Sequence, residues 1–483
     1  MNNSILLLLL VACGPKPVPV ATAPVPPPEY VPVQPVALAP RPFQPPVVTW
    51  GQLAAGTPVA VVENHEVPLV NLRIEFPVRA TAGPKDKAGL AEATMDMLNE
   101  GAGSRDAAAI SAELSRLGAG LSTGAGYDGS SVSISCLRDT LEPTLDLLAD
   151  VLMRPTFPSG DWDLRRSLWI DDIKEARNTP NRIAERVVNQ LLWGQGYRGI
   201  EASEATLARI SIKDMKAWYK ANLSLQGAIV LVGGDITVAE VVPMLETRLG
   251  QWKGKATKAE ALPTPPTPPA KTTIYLVDKP GSAQSVVRAV SYAGKPTDPD
   301  YAAFTIGNMA VGGQFASRIN LNLRESKGYT YGARTSVGYD LSGSSFSFSS
   351  GIHTEKTGLA LVELFKELRE VEAGRPLDDN EVSEARGALL GGWPLRFESP
   401  DYALGQIDVM RTYGLPDDWV TGYPARVGAT TTAAAQKAFS DRVDPDRLLF
   451  VIVGDAAVVR PELEKLGLLV VPVSVDGVVL SGG

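Results

Sequence analysis

The stretch GLAEATMDMLNEG (89–101) sets Glu92, Asp96 and Glu100 at i, i+4 and i+8, stacked on one helical face. Ligands four residues apart on a helix are the usual start of a zinc site. The side chains here are all carboxylates, and the nearest histidine is His65. The whole chain has two histidines, His65 and His353, and two cysteines, Cys13 and Cys136. Zinc draws most of its ligands from those two residue types, so the inventory excludes most zinc architectures. A hard cation such as Ca2+ or Mn2+ accepts carboxylates, but no dedicated binding loop accompanies the stripe. The competing reading is a solvated acidic face on a helix whose other side, Leu90, Met97 and Leu98, is core. Nucleophilic catalysis has no candidate, because neither histidine adjoins a nucleophile motif. His65 reads as a turn residue, and His353 ends the strand-like run SFSFSSGIH. The glycine pair of GGQFASR (312–318) lacks a phosphate-loop continuation and reads as a lead-in to a helix.

These residues need a large framework. The 483-residue chain exceeds one compact core and implies several domains. Its 44% hydrophobic and 21% charged content is ordinary for a globular protein. A net charge of −8, without a Lys/Arg-rich run, excludes nucleic acid as an expected partner. The apolar run ILLLLLVA (5–12) is too short to cross a bilayer and reads as a secretory core. Closed by Cys13, it resembles a bacterial lipoprotein cleavage box, although MNNS lacks the usual positive residues. That resemblance implies lipidation of Cys13, a signal segment over 1–13, and an envelope location, by default the outer membrane facing the periplasm. Residues 14–47 hold thirteen prolines and read as an extended tether. At about 3.1 Å per residue it reaches on the order of 100 Å. Cys136, in SSVSISC, reads as a small buried hydrophobe.

A second proline cluster, LPTPPTPPAK (262–271), divides the remainder nearly in half and reads as a linker over 255–272. The two parts repeat each other. GAIVLVGGD ends at Asp235 and LLFVIVGD at Asp455; GYDGSSVSIS begins at Gly126 and GYDLSGSSFSFS at Gly338. Each part reads strand, helix, strand pair, helices, final strand. The expectation is α+β: two homologous domains, 48–254 and 273–470, each a mainly antiparallel sheet with helices packed on one face, followed by a tail over 471–483.

With the duplication in place, several segments resemble the pitrilysin/insulinase (M16) family of metallopeptidases, over about residues 48 to 470. AGLAEATMDMLNEG stands where that family has its zinc helix, and LWIDDIKEARNTPNRIAERV resembles the helix of its third ligand. YRGIEASEATLARISIKDMKAWYKANLS resembles the segment closing the first half, and ASRINLNLRESKGYTYGA (316–333) a characteristic stretch of the second. The family motif is His-x-x-Glu-His with a later Glu. Two imidazoles and a carboxylate hold zinc, and the motif Glu takes a proton from the bound water. Here those positions fall at Glu92, Met95, Asp96 and Asp172, and none keeps its residue. A thioether at Met95 accepts no proton, and losing a general base costs roughly 10²–10⁴-fold in rate. The family also uses an Arg and a Tyr seven residues apart to hold substrate. Arg324 and Tyr331 keep both types and the spacing. Tyr329 and Tyr331 are expected on the same side of an extended strand. The strand GYDGSSVSISC matches the sheet edge to which family members add substrate strands.

The resemblance implies a subunit inactive alone, without metal or other cofactor, that forms a heterodimer with a zinc-bearing M16 subunit and contributes Arg324 and Tyr331 as substrate-binding residues. The substrate class is peptide. A scaffolding protein without peptidase role is the alternative, and a self-sufficient peptidase with an atypical metal site a third reading.

Overall fold

The computed structural model describes residues 43–252, 254 and 260–480. Cys13, the signal-like segment and most of the tether lie outside the described residues. The first half contributes β1 (Thr49–Gln52), β2 (Pro58–Glu63), β3 (Leu69–Phe76), the short pair β4 (Gly101–Ala102) and β5 (Arg105–Asp106), β6 (Gly120–Ala125), β7 (Ser130–Leu137) and β8 (Ile229–Gly234). The second contributes β9 (Thr273–Asp278), β10 (Gln284–Tyr292), β11 (Thr330–Asp340), β12 (Gly343–His353), β13 (Leu449–Gly454) and β14 (Leu469–Val473). Two six-stranded sheets result, ordered β1-β2-β8-β3-β7-β6 and β11-β12-β10-β13-β9-β14. Only β2–β8, β13–β9 and β9–β14 pair in parallel. Two α+β domains, mainly antiparallel, are therefore present.

Strand alternation assigns the faces. In β3, Val70, Leu72, Ile74 and Phe76 enter the core while Asn71, Arg73 and Glu75 face outward. In β7, Val132, Ile134 and Cys136 are buried and alternate with Ser131, Ser133 and Ser135. β8 and β13 are buried at every position, as continuous apolar runs must be when both faces are covered. Their inner faces meet helices of their own half. Their outer faces meet a helix from the other half, an addition to the one-sided packing expected from the sequence. The first crossover helix (Pro180–Trp193) lays Ile183, Ala184 and Val187 on Val277, Leu449, Val451 and Val453 of the second sheet. The second crossover helix (Pro400–Tyr413) lies on the first sheet. Its Asp401 accepts from Asn71 at 3.0 Å, and its Arg411 donates to the Gly227 carbonyl at 2.7 Å. Both helices start with proline behind a hydroxyl residue, Thr179-Pro180 and Ser399-Pro400, which presets the first turn.

The two repeated GYD turns meet at this seam. Asp128 accepts from the hydroxyls of Tyr197 and Tyr413, the latter at 2.8 Å, and from Arg198 at 3.3 Å. The same guanidinium lies 3.6 Å from Asp340 of the second turn. Arg79 holds the linker at residues 260 and 261, donating to the Ala261 and Glu260 carbonyls at 2.9 and 3.3 Å.

Two expectations change. β7 is not a sheet edge, because it lies between β3 and β6; the free edge is β6. The second sheet also runs past residue 470, because β14 continues to Val473 and Asp476 then pairs with Arg177 and Arg186 at 3.2 and 3.0 Å. Among the described residues, no helix is long and apolar enough to cross a membrane.

A Cβ added at Gly233 would lie 2.8 Å from both Leu404 Cδ1 and Pro400 Cβ. Gly233→Val should thus push the second crossover helix off its sheet and cost about 1–3 kcal/mol, read as a lower denaturant midpoint. An unchanged midpoint would show that this helix does not hold the halves together.

Candidate functional site

The first candidate is the carboxylate stripe. Its helix, Leu90–Asp96, starts at Gly89 with φ 96°, and a Cβ there would meet Ala202 Cβ at 2.9 Å, so glycine is required. At Met97 the chain tightens into a 3-10 turn, Met97–Glu100. Three residues per turn rotate Glu100 off the stripe. The face is therefore not a solvated one. Met95 is fully buried in the first core. Glu92 is largely buried, one carboxylate oxygen has no partner, and burial pushes its acid up to about 7. Glu100 is buried and accepts from Arg165 Nε at 2.7 Å. Asp96 is exposed, 3.8 Å from the same guanidinium. Asp172, on the helix Ser159–Ala176, is gripped by Arg182 at 2.8 and 2.6 Å, which holds its carboxyl below the usual range.

These positions do not fit a zinc ion. A thioether in the core stands at the base position, arginines pair with Asp96 and Asp172, and Glu92, the third carboxylate at the expected ligand positions, is largely buried without an arginine partner among the described residues. Arg165 supplies the positive charge that ties the two helices together. Among the described residues no group of three or more His, Cys, Asp or Glu side chains could hold a metal. His65 lies in the turn between β2 and β3, 2.6 Å from Asp235, and His353 ends β12.

The second candidate is built at the opposite end of the duplication. Arg324 sits in a π-helical turn, Leu321–Ser326, and Tyr331 is the second residue of β11. The structure brings them together, with the guanidinium 5.9 Å from the Tyr331 ring. It lies 4.6 Å from the ring of Phe315, which the sequence reading did not single out. Tyr331 is 90% exposed and Phe315 52%. Tyr329 and Tyr331 do not share a side. A register shift between Thr330 and Ala333 turns Tyr329 toward the second core and leaves Tyr331 in solvent. Among the described residues, the only carboxylate beside Arg324 is its half-exposed neighbour Glu325, at 3.4 Å.

The fold and site define a duplicated α+β framework in which Asp96 and Asp172 pair with arginines, Met95 is buried, and Arg324 and Tyr331 lie together at the surface. Residues 58–207 match the family model for insulinase (peptidase family M16), and residues 209–389 the model for the peptidase M16 inactive domain. The chain belongs to the M16 family. It is 21% identical over 351 residues to the non-peptidase homolog YmxG of Helicobacter pylori, covering 71% of this chain and 79% of that protein. It is 21% identical over 285 residues to the uncharacterized zinc protease YmxG of Bacillus subtilis, covering 58% of this chain and 63% of that one. Among solved structures, the peptidase M16 inactive domain from Pseudomonas fluorescens superposes with a TM-score of 0.75 at 24% identity, covering 84% of this chain and 98% of its own. The periplasmic protease PqqL of Escherichia coli superposes with a TM-score of 0.70 at 12% identity, and this chain spans 49% of it.

Two measurements check the refilled site. Burial raises the Glu92 acid from 4.5 to about 7, so the folded state favours the proton. Its contribution is full below the unfolded value and is lost as pH rises through about 7. Glu92→Gln should therefore gain stability over the native chain between about pH 5 and pH 8, by up to about 3 kcal/mol. A pH-independent difference would place Glu92 in water. In equilibrium dialysis against micromolar zinc, the chain should retain far less than one equivalent; stoichiometric retention would mean that metal displaces the arginines.

Proposed function

We propose that this chain is the non-catalytic, substrate-binding subunit of a two-chain M16 zinc peptidase acting on peptides in the cell envelope. The observation that carries the proposal is an asymmetry. Asp96 and Asp172 are paired with arginines and Met95 is buried, while Arg324 and Tyr331 stand together, with Tyr331 open to solvent. A pair kept exposed at the surface suits a role in completing a site on another chain. The guanidinium offers forked donors to a substrate carbonyl or carboxylate. The Tyr331 hydroxyl donates to the oxyanion that develops at the scissile carbonyl. Zinc and its base belong to the partner. Support for a non-catalytic role also comes from the name of the Helicobacter pylori relative, a non-peptidase homolog. The lipoprotein-like start and a fold shared with a periplasmic protease support anchorage in the envelope, with the working domains on the periplasmic side.

The test is a peptidase assay on the chain alone and mixed with the zinc-bearing M16 homologue of the same cell. Chelator-sensitive cleavage is expected only in the mixture. Tyr331→Phe should lower kcat by about 100-fold, the usual cost of one oxyanion donor. Cleavage by the chain alone would overturn the proposal. A stable complex without cleavage would replace it with a scaffold role.

A further inference from the structure

A guanidinium that is to grasp a substrate must be held still without spending its donors. Carboxylate partners hold arginines by occupying N–H groups. Aromatic faces hold them through charge and contact and leave the N–H groups free. Arg324 is held in the second way. Its guanidinium lies 4.6 Å from the centroid of Phe315 and 5.9 Å from that of Tyr331, and its one carboxylate contact is 3.4 Å away on the adjacent residue.

Three separate segments carry these residues, and one buried side chain joins the outer two. Asn320 is 3% exposed. Its amide nitrogen donates to the Phe315 carbonyl at 2.8 Å, and its amide oxygen accepts from the Ala333 backbone at 3.1 Å. The loop bearing Phe315 is thereby fixed to the strand bearing Tyr331. Asn320 also lies one helical turn before Arg324. Phe315 leaves half of its surface in water, which is costly for a large apolar ring unless something covers it.

We infer that Phe315 is a positioning residue of the substrate clamp: it braces Arg324, is locked in place by Asn320, and offers an apolar surface beside the guanidinium. The ligand it fits is an unfolded peptide presenting a carbonyl or carboxylate next to an apolar side chain. This inference rests on the substrate-binding reading of Arg324 given above.

The test uses the full chain and a fluorescein-labelled, unstructured 20-residue peptide rich in Leu, Phe and Ala, as C-terminal acid and as amide, with affinity read by fluorescence anisotropy. Phe315→Ala should weaken binding about fivefold, the scale of a partly exposed cation–π contact plus lost apolar cover. Phe315→Tyr keeps the ring and should stay within about twofold of native. Asn320→Ala should weaken binding in the same direction as Phe315→Ala. Circular dichroism on each variant separates loss of the clamp from loss of fold. Loss of binding in Arg324→Ala with native affinity in a folded Phe315→Ala would overturn this inference alone. Native affinity in Arg324→Ala would overturn the substrate-binding reading beneath it. Equal weakening of acid and amide peptides assigns the contact to backbone carbonyls; selective weakening of the acid assigns it to the terminal carboxylate.

Discussion

The structure depends on a surface that neither half can cover by itself. β8 and β13 are apolar on both faces, and each half packs its own helices on the inner face only. The outer face would stay wet without the crossover helix from the other half. Burying Ile183, Ala184 and Val187 against four strand residues of the second sheet removes apolar surface at roughly 25 cal/mol per Å². The exchange is reciprocal, so the halves form one cooperative body. Arg324 and Tyr331 inherit their rigidity from this body.

The seam is not built the same way on its two sides. The first crossover helix meets its sheet mainly through aliphatic contact, with a polar link from Arg288 to Asn181 at 3.3 Å; the second adds Asn71–Asp401, Arg73–Asp408 and Arg411–Gly227 to the packing of Leu404 on Gly233. Burial pushes the Glu75 acid beside this second contact up to about 7, with Asp408 adding to the rise. A single Arg198 faces both GYD aspartates, whereas the two crossover helices end alike, on Gly194 and Gly414. The two copies share one frame and differ in what they display, arginine-paired carboxylates in the first and the Arg324–Tyr331 pair in the second.

Much of this was legible in the sequence. The offset repeats located both domains, and the apolar runs before Asp235 and Asp455 located the two central strands. The second cover of those strands was not read from the sequence, because the helix that supplies it belongs to the other half of the chain. Other features depended on three-dimensional arrangement. A helical wheel places Glu100 with Glu92, but the change to a tighter helix separates them. Alternation along a strand places Tyr329 with Tyr331, but a bulge parts them. Arg165, seven residues before Asp172, pairs across 65 positions with Glu100, and no local pattern announces such a partner. Phe315 stands in a loop whose glycine pair reads only as a lead-in to a helix. Its meaning comes from the Asn320 bridge.

The Arg165 pairings have a further consequence for how the protein comes into being. A metal-stapled helix pair reaches its mature shape only after an ion arrives from outside, and its quality follows the ion's supply. Here the cation is encoded and delivered with the polypeptide. The junction between the helix Ser159–Ala176 and the turn Met97–Glu100 therefore closes with side chains that the polypeptide itself carries.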